Sequence, residues 1–418
     1  MAAVLRILLF VSLGFSGCGV LADETAQQLY ETYQDSILRI EVITPGMEKK
    51  ASLGTGFVIG EENLVASNFH VVSSAVHEPD RYRLEWSNTR GERGQLSVVA
   101  VDVVHDLALL KADHPLASPL VTTGLPKKGA ELYSLGHPLA LDLSIVAGTA
   151  NGLLENSIYE KIHFSGGINP GMSGGPALDQ EGRVVGVNVA SAGNSVGFLV
   201  PAHYVDVMLM RADPDGESPD ITRQIGEQLI ENQDRLINEL LESEWPTQTI
   251  GKFQVPGEVS SRLDCWGDTE PETDDHKYLE VATNCNGRDA IFLSDRQSAG
   301  SISHQYFWLA TDSLSPRSFY RLYQQHNNSR FIGGADETDV GNFTCSTRFV
   351  NLSGQSFKAN VCARPYKRYP ELTDFMVLMA MTGHPKQGFL FTLDLSTVTL
   401  ENGMRLLERF LEGFQWIE

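Results

Sequence analysis

Between about residues 25 and 205, hydrophobic and polar positions follow a short-strand pattern. About eleven apolar segments rich in Val, Leu and Ile alternate with stretches of Gly, Pro, Asn and Asp. Segments such as SILRIEVIT (36–44) and RVVGVNVA (183–190) have the length and residue types of β-strands bounded by turns. So many short strands with little helix indicate an all-β fold, either one barrel or a pair of barrels.

The pattern changes at the acidic segment RADPDGESPD (211–220), which has the composition of a linker. An amphipathic helix is predicted over 218–246, because Ser218 suits the N-cap and Pro219 the first helical position. The residues that give it an apolar face recur at near-helical spacing: Ile221, Ile225, Leu229, Leu236 and Leu240.

Residues 247–418 mix strand-like segments with a closing amphipathic helix near 400–414. A chain of 418 residues also has the length of two domains, each with its own core. The sequence therefore predicts an all-β domain over 25–212 and, after the helix, an α+β domain over 247–418 whose role the pattern does not indicate.

Composition and charge narrow the classes of partner. Hydrophobic residues make up 42% of the chain and charged residues 20%, as in folded proteins. The formal net charge of -21 repels phosphate backbones and anionic membrane surfaces. Nucleic acid is therefore not predicted as a partner.

The first 22 residues have the features of an export signal. A short segment ending at Arg6 precedes the apolar run ILLFVSLGF (7–15), which is too short to span a bilayer. Two cleavage sites fit: one before Cys18, which would be lipidated, and one after VLA (20–22), which would release a soluble chain. The protein is predicted to be exported, either to a bacterial periplasm or as an envelope lipoprotein that meets the membrane only through a lipid on Cys18.

The four remaining cysteines, Cys265, Cys285, Cys345 and Cys362, all lie in the C-terminal half. In an exported protein, four cysteines suggest two disulfides with three possible connectivities. Pairing of neighbours, Cys265 with Cys285 and Cys345 with Cys362, is the simplest. A zinc site is the rival, but the chain has no CxxC motif and no paired histidines near the cysteines, so neither a metal nor any other cofactor is predicted.

The segment NPGMSGGPAL (169–178) offers the first candidate chemistry, because it contains G-x-S-x-G around Ser173. That motif is typical of the nucleophile elbow of ester hydrolases, which needs a helix directly after the serine. Gly174, Gly175 and Pro176 are poor helix residues, and another strand-like segment follows. The ester hydrolase interpretation is therefore the weaker one.

A serine can instead be activated by a histidine and a carboxylate elsewhere in the chain. His70 ends two strand-like segments and has apolar neighbours, while Asp106 directly precedes the apolar run at 107–110. A half-buried carboxylate needs a partner such as an imidazole. A structural role in the core for His70, and a turn or strand end for Asp106, are the alternatives.

Five motifs, GTGFVI, NFHVV, HDLALLK, INPGMSGGPAL and VGFLVP, occur in the order seen in trypsin-like serine endopeptidases of the HtrA (Deg) type. The chain resembles that family over roughly residues 30–210. The resemblance implies a double β-barrel with His70 as general base, Asp106 orienting it and Ser173 as nucleophile. It also implies an oxyanion hole formed by the amides of Gly171 and Ser173.

The same resemblance implies that Ile168, Asn188, Val189 and Ala190 line the pocket for the residue before the cleaved bond. An apolar lining without an acidic residue favours small or medium aliphatic side chains. The chain departs from the family at Met172, where a polar residue is common, and in having no recognisable PDZ-like segment after the barrels.

The sequence thus predicts a trypsin-like double β-barrel protease domain followed by a disulfide-bonded α+β domain. The leading functional hypothesis is a serine endopeptidase that cleaves unfolded or exposed polypeptides through an acyl-enzyme. The alternatives are a quiescent protease-fold chaperone or scaffold that works through its C-terminal domain, and, less favoured, an ester hydrolase. A complete set of Ser, His and Asp favours the first.

Overall fold

The structure, a computed structural model, describes residues 21–46, 49–191, 196–216, 220–327, 335 and 337–417. Cys18, most of the predicted export signal and Ser218 lie outside the described residues. Among the helices of the described part, none combines the length and the apolar character needed to cross a membrane.

The first barrel follows the N-terminal helix α1 (Leu21–Tyr33) and a short 3-10 turn (Gln34–Ser36). Its six strands close in the order β1-β2-β3-β6-β5-β4, with helix α2 (Phe69–His77) inserted after the third strand. The strands are β1 (Ile37–Thr44), β2 (Lys49–Val58), β3 (Leu64–Ser67), β4 (Arg83–Ser87), β5 (Arg93–Asp102) and β6 (Leu107–Ala112).

The second barrel also has six strands, closed in the order β10-β11-β12-β9-β8-β7, and helix α3 (His203–Arg211) follows it. A 3-10 turn (Pro138–Ala140) follows its first strand. The strands are β7 (Glu131–Gly136), β8 (Ser144–Leu153), β9 (Ile162–Phe164), β10 (Pro176–Leu178), β11 (Val184–Ser191) and β12 (Gly197–Pro201).

Strand β1 shows why these strands are apolar on both faces. Successive side chains point to opposite faces of a strand. Leu38 and Ile40 accordingly join the core that includes α2, while Ile37 joins a second core that also contains Leu135 and Val187 of the other barrel. One face fills the barrel and the other packs the two barrels together.

Helix α4 (Ile221–Glu242) lies within the predicted 218–246 but starts at a different cap. The Asp220 carboxylate accepts from the Arg223 N–H at 3.0 Å, so Asp220 takes the role expected of Ser218. Buried Ile225 and Leu229 belong to the core of the first barrel, whereas Ile237 belongs to the core of the C-terminal region. The helix therefore packs against both halves of the chain.

The C-terminal region is built on a seven-stranded antiparallel sheet in the order β15-β16-β19-β23-β22-β21-β20. Helices α5 (Pro316–His326) and α6 (Leu400–Glu412) accompany it. The strands of this region are β13 (Thr247–Ile250), β14 (Phe253–Pro256), β15 (Leu263–Glu270), β16 (Leu279–Gly287), β17 (Ile291–Ser294), β18 (Gln297–Ala299), β19 (Ile302–Ala310), β20 (Thr344–Leu352), β21 (Gln355–Pro365), β22 (Thr373–Met381), β23 (Gln387–Val398) and β24 (Gln415–Trp416).

Both disulfides join residues that face each other on adjacent strands of this sheet. Cys265 pairs with Cys285 across β15 and β16, and Cys345 pairs with Cys362 across β20 and β21. These are the pairs that the nearest-neighbour rule predicts. The predicted fold class, a double β-barrel followed by a disulfide-bonded α+β domain, is confirmed.

Candidate active site

His70 and Asp106 come together in the first barrel. His70 is the second residue of α2, which begins two residues after β3 ends, so the imidazole lies close to the end of a buried strand. Its backbone N–H donates to Asp106 Oδ1 at 2.8 Å, and its Nδ1–H donates to Oδ2 at 2.6 Å. A carboxylate bound in this way leaves Nε2 of the neutral ring without a proton, so that it can accept one.

The backbone of Asp106 explains how the carboxylate reaches the ring. Its φ of 57° lies in the left-handed region, which Asp tolerates better than most residues. Its carbonyl accepts from the Phe69 N–H at 3.2 Å and from Asn68 Nδ2 at 2.8 Å. The turn is thereby tied to the start of α2. The backbone of Asp106 lies in a turn just before β6, as one alternative had it, and its side chain pairs with His70.

Charge acts on His70 from two carboxylates. Burial lowers the pKa of the imidazole, but the charge and hydrogen bond of Asp106, with a smaller contribution from Asp295, raise it more. The net pKa lies above the usual 6.5. Since Asp106 stabilises the protonated ring, a proton taken up at Nε2 is held more strongly here than on an isolated imidazole.

The loop that carries Ser173 has, at position 171, a backbone conformation that only glycine can adopt without a clash. Gly171 has a φ of +96°, and a Cβ at that position would lie 2.4 Å from the carbonyl oxygen of His137. Within the described part of the chain, the N–H groups of Gly171 and Ser173 have no hydrogen-bond acceptor. Two unpaired amides beside a serine are what an oxyanion hole requires.

Ser173 lies beside the His70 segment without bonding to the ring. A Cβ on Gly174 would lie 2.9 Å from the Asn68 backbone nitrogen, so the serine loop packs against the residues that precede His70. The Ser173 hydroxyl donates to the Val189 carbonyl at 3.4 Å, and no hydrogen bond to His70 is present among the described residues. The structure therefore joins His70 to Asp106 directly, while Ser173 is placed near them on the second barrel.

Comparison with known proteins identifies the double barrel. Residues 54–187, which include His70, Asp106 and Ser173, match the family model for a trypsin-like peptidase domain. The double barrel matches a trypsin-like peptidase domain and is similar to those of HtrA-type serine proteases.

Two relatives illustrate the similarity. The chain is 24% identical over 321 residues to "Serine protease HTRA1B" of Danio rerio, a match covering 70% of this chain and 64% of the relative. It is 30% identical over 196 residues to "Serine protease HTRA2, mitochondrial" of Drosophila persimilis, covering 43% of this chain and 45% of the relative. The chain thus spans 64% and 45% of the length of these curated relatives. The solved "Crystal structure of Deg5" is 26% identical with a TM-score of 0.40, and the match covers 45% of this chain and 93% of that one.

Thr55 is a residue of the peptidase domain that sequence reasoning missed. Its hydroxyl donates to the Gly171 carbonyl at 2.7 Å and accepts from the His137 N–H at 3.0 Å, and its own N–H donates to the Ser173 carbonyl at 2.8 Å. Thr55 is fully buried. Through Thr55, the first barrel thereby binds the carbonyls of Gly171 and Ser173, the two residues that flank Met172 in the second barrel. The only signal in the sequence is a threonine between two glycines in GTGFVI.

Asn188 lies inside the second barrel and not in the wall of the predicted pocket. The residue is fully buried, and its amide nitrogen donates to the carbonyls of Leu135 at 3.1 Å and Met172 at 3.3 Å. Its amide oxygen accepts from the Ser134 hydroxyl at 2.8 Å. With its side chain occupied inside the barrel, Asn188 supports the serine loop of the peptidase domain and presents no amide to a substrate.

The other predicted pocket residues of the peptidase domain differ in their placement. Ile168 is buried in the core of the second barrel, where it packs against Gly197. Val189 is half-buried and offers its carbonyl to Ser173. The side chain of Ala190 lies outside the described residues. Met172, the departure from the family pattern, is fully buried in the same core as Ile168 and acts in packing.

Within the described residues, no group of three or more His, Cys, Asp or Glu side chains could hold a metal ion.

Proposed function

We propose that the protein is a serine endopeptidase that cleaves peptide bonds through an acyl-enzyme on Ser173. The observation that carries the proposal is the doubly hydrogen-bonded pair of His70 and Asp106 beside a serine whose loop has two unpaired amides. The match of residues 54–187 to the model for a trypsin-like peptidase domain supports the same chemistry.

In this mechanism, Nε2 of His70 removes the proton from the Ser173 hydroxyl as its oxygen attacks the peptide carbonyl. Asp106 stabilises the imidazolium that forms, and the amides of Gly171 and Ser173 donate to the developing oxyanion, each contributing roughly 3 to 4 kcal/mol to lowering the barrier. His70 then returns the proton to the leaving amine, and water hydrolyses the ester by the same route. Ser173 must first turn its hydroxyl from the Val189 carbonyl toward His70.

Unfolded or exposed polypeptides are the proposed substrates, and a bacterial periplasm or envelope the proposed location. The two disulfides and the similarity to HtrA proteases are consistent with an exported protein, since disulfides persist in oxidising compartments. The net charge of -21 supports the proposal that nucleic acid is not a partner.

A quiescent protease fold that acts as a chaperone or scaffold is the second candidate. One observation favours it: the Ser173 hydroxyl bonds to the Val189 carbonyl and not to His70. Catalytic hydrogen bonds are often long or misaligned before substrate binds, so this geometry is also that of a resting protease.

Labelling with a fluorophosphonate probe separates the two. The folded full-length protein is expected to be labelled at Ser173 and to cleave casein, and Ser173→Ala is expected to lose both properties. His70→Ala should lose nearly all labelling, whereas Ser97→Ala, at an exposed serine on β5 of the first barrel, is the matched control and should retain it. Absence of labelling at Ser173 in the folded protein would overturn the proposal, and cleavage of esters without cleavage of casein would favour the ester hydrolase.

A further inference from the structure

A hairpin from the C-terminal region lies against the helix that carries His70. The hairpin consists of β17 and β18, joined by Asp295 and Arg296. Nε2–H of His77, the last residue of α2, donates to the Leu293 carbonyl at 2.8 Å. Leu293 and Ile291 are buried in the same hydrophobic core as residues of α2. The hairpin is therefore fixed to the first barrel.

The chain just before the hairpin is fixed to the second barrel. The Asp289 carboxylate accepts from the Ser157 hydroxyl at 2.8 Å, the Ile158 N–H at 2.7 Å and Lys161 Nζ at 2.8 Å. These three residues lie between β8 and β9. Burial raises the pKa of Asp289, but Lys161 and the other donors lower it more, so the carboxylate stays charged and bound. Anchored on both barrels, the hairpin spans them beside the candidate active site.

Between these anchors, the hairpin presents one aromatic ring to the imidazole. The ring centroids of Phe292 and His70 are 5.9 Å apart at an angle of 76°, an edge-to-face contact. Alternation along β17 makes Phe292 less buried than Ile291 and Leu293, and only part of its ring packs against their core. Phe292 is only half-buried, and 28% of the His70 side chain is still exposed. The ring is thus a wall beside the imidazole and leaves it open.

We propose that Phe292 is a specificity-determining residue, forming an apolar subsite next to His70 for a large aliphatic or aromatic side chain of the polypeptide. The inference rests on the proposed endopeptidase function. The occupied position is a neighbour of the residue whose carbonyl Ser173 attacks, because the subsite adjoins the general base. Asp289 is a positioning residue that holds the hairpin in place.

The test uses the full-length protein and fluorogenic peptides that differ at one position at a time. Loss of an apolar contact of this kind changes discrimination roughly tenfold or more. In Phe292→Ala, kcat/KM is expected to fall by about that factor for peptides with Leu or Phe at one single position, and to stay unchanged for Gly or Ala there. Phe292→Leu should restore most of the preference for Leu. Phe349→Ala, at a phenylalanine that is 70% exposed on β20, is the matched control and should change nothing.

Two results would overturn the inference without touching the proposed function. One is an unchanged preference in Phe292→Ala while Ser173 is still labelled by the fluorophosphonate. The other is an equal rise in the cleavage of all peptides and in the labelling rate, which would make the hairpin an inhibitory cover. Failure of the wild type itself to label or cleave would instead refute the endopeptidase function. Asp289→Asn should weaken the same preference, with KM changing more than kcat, because it loosens the hairpin and leaves Ser173 and His70 intact.

Discussion

Replacing Thr55 by Val tests whether the first barrel holds the serine loop in shape. Val preserves the branched shape but removes a hydroxyl that bonds to the Gly171 carbonyl and the His137 N–H in a fully buried site. An unpaired buried polar group costs about 1–3 kcal/mol, so two of them should lower the free energy of unfolding by roughly 2–6 kcal/mol. In calorimetry, that corresponds to a fall in Tm of at least about 4 °C for the barrels.

Catalysis should suffer separately from stability. Without the hydroxyl, the peptide between Gly171 and Met172 loses a fixed partner, and the Gly171 N–H is no longer aimed by its backbone. Loss of one oxyanion donor costs about 10²- to 10³-fold in kcat, so a fall of about 10²-fold is expected at a temperature where Thr55→Val is folded. KM should change less, because the affected donor acts on the transition state.

Two variants make this prediction decisive. Thr55→Ser keeps the hydroxyl and should retain most of kcat, whereas Thr89→Val, at an exposed threonine, controls for the loss of a surface hydroxyl and should match the wild type. If Thr55→Val leaves both Tm and kcat at wild-type values, the reasoning about the Thr55 contacts is wrong.

The ionisable and cross-linked groups give three further tests. Because only the neutral imidazole accepts a proton, kcat/KM should rise with pH through the pKa of His70, with a midpoint above 6.5; a midpoint below 6.5 would contradict the dominance of Asp106. Replacing Cys345 and Cys362 by Ala removes a cross-link between residues 17 apart and should cost the C-terminal sheet roughly 3 kcal/mol in calorimetry, leaving Ser173 labelling intact; equal stability would contradict this. Burial, with the charge of Asp374, raises the pKa of Asp394 to about 7. The protonated carboxyl therefore contributes its full stabilisation of the fold below pH 3.8, and this stabilisation is lost as the pH rises through 7. The fall in Tm between pH 6 and pH 9 should therefore shrink in Asp394→Asn, and an unchanged fall would refute that assignment.

The features that could be predicted from sequence are those in which the residue type itself restricts the backbone conformation or requires a particular partner. The glycines of NPGMSGGPAL indicated a backbone that other residues cannot adopt, and Gly171 has that backbone. Asp106 before an apolar run indicated a half-buried carboxylate in need of a partner, and His70 is that partner. The cysteine pairs followed from sequence neighbours that become neighbours in a sheet.

Other features depend on contacts that no local pattern encodes. The family resemblance implied a pocket position for Asn188, but its side-chain amide bonds to Ser134, Leu135 and Met172 inside the barrel. Thr55 lies 116 residues from the carbonyl that its hydroxyl binds. A threonine within a strand-like segment is compatible with either face of the strand, so its role follows only once the two barrels are packed.

The hairpin beside His70 shows why the C-terminal region cannot be treated as a domain that is structurally independent of the barrels. The change in composition at 211–220 indicates a linker in the chain, yet the hydrophobic core does not divide there: Val71 and Val72 of α2 share one core with Ile291 and Leu293. A protein ending near residue 215 would lose Ile291 and Leu293 from this core. It would also lose the hydrogen bond from His77 to the Leu293 carbonyl, which joins residues 216 apart in the sequence. If such a truncated protein lost activity, the cause could equally be a destabilised α2 or a missing substrate subsite. Single substitutions at Phe292 and Asp289 in the intact chain separate the two, because they alter what the hairpin presents to His70 while the fully buried residues of that core keep their side chains.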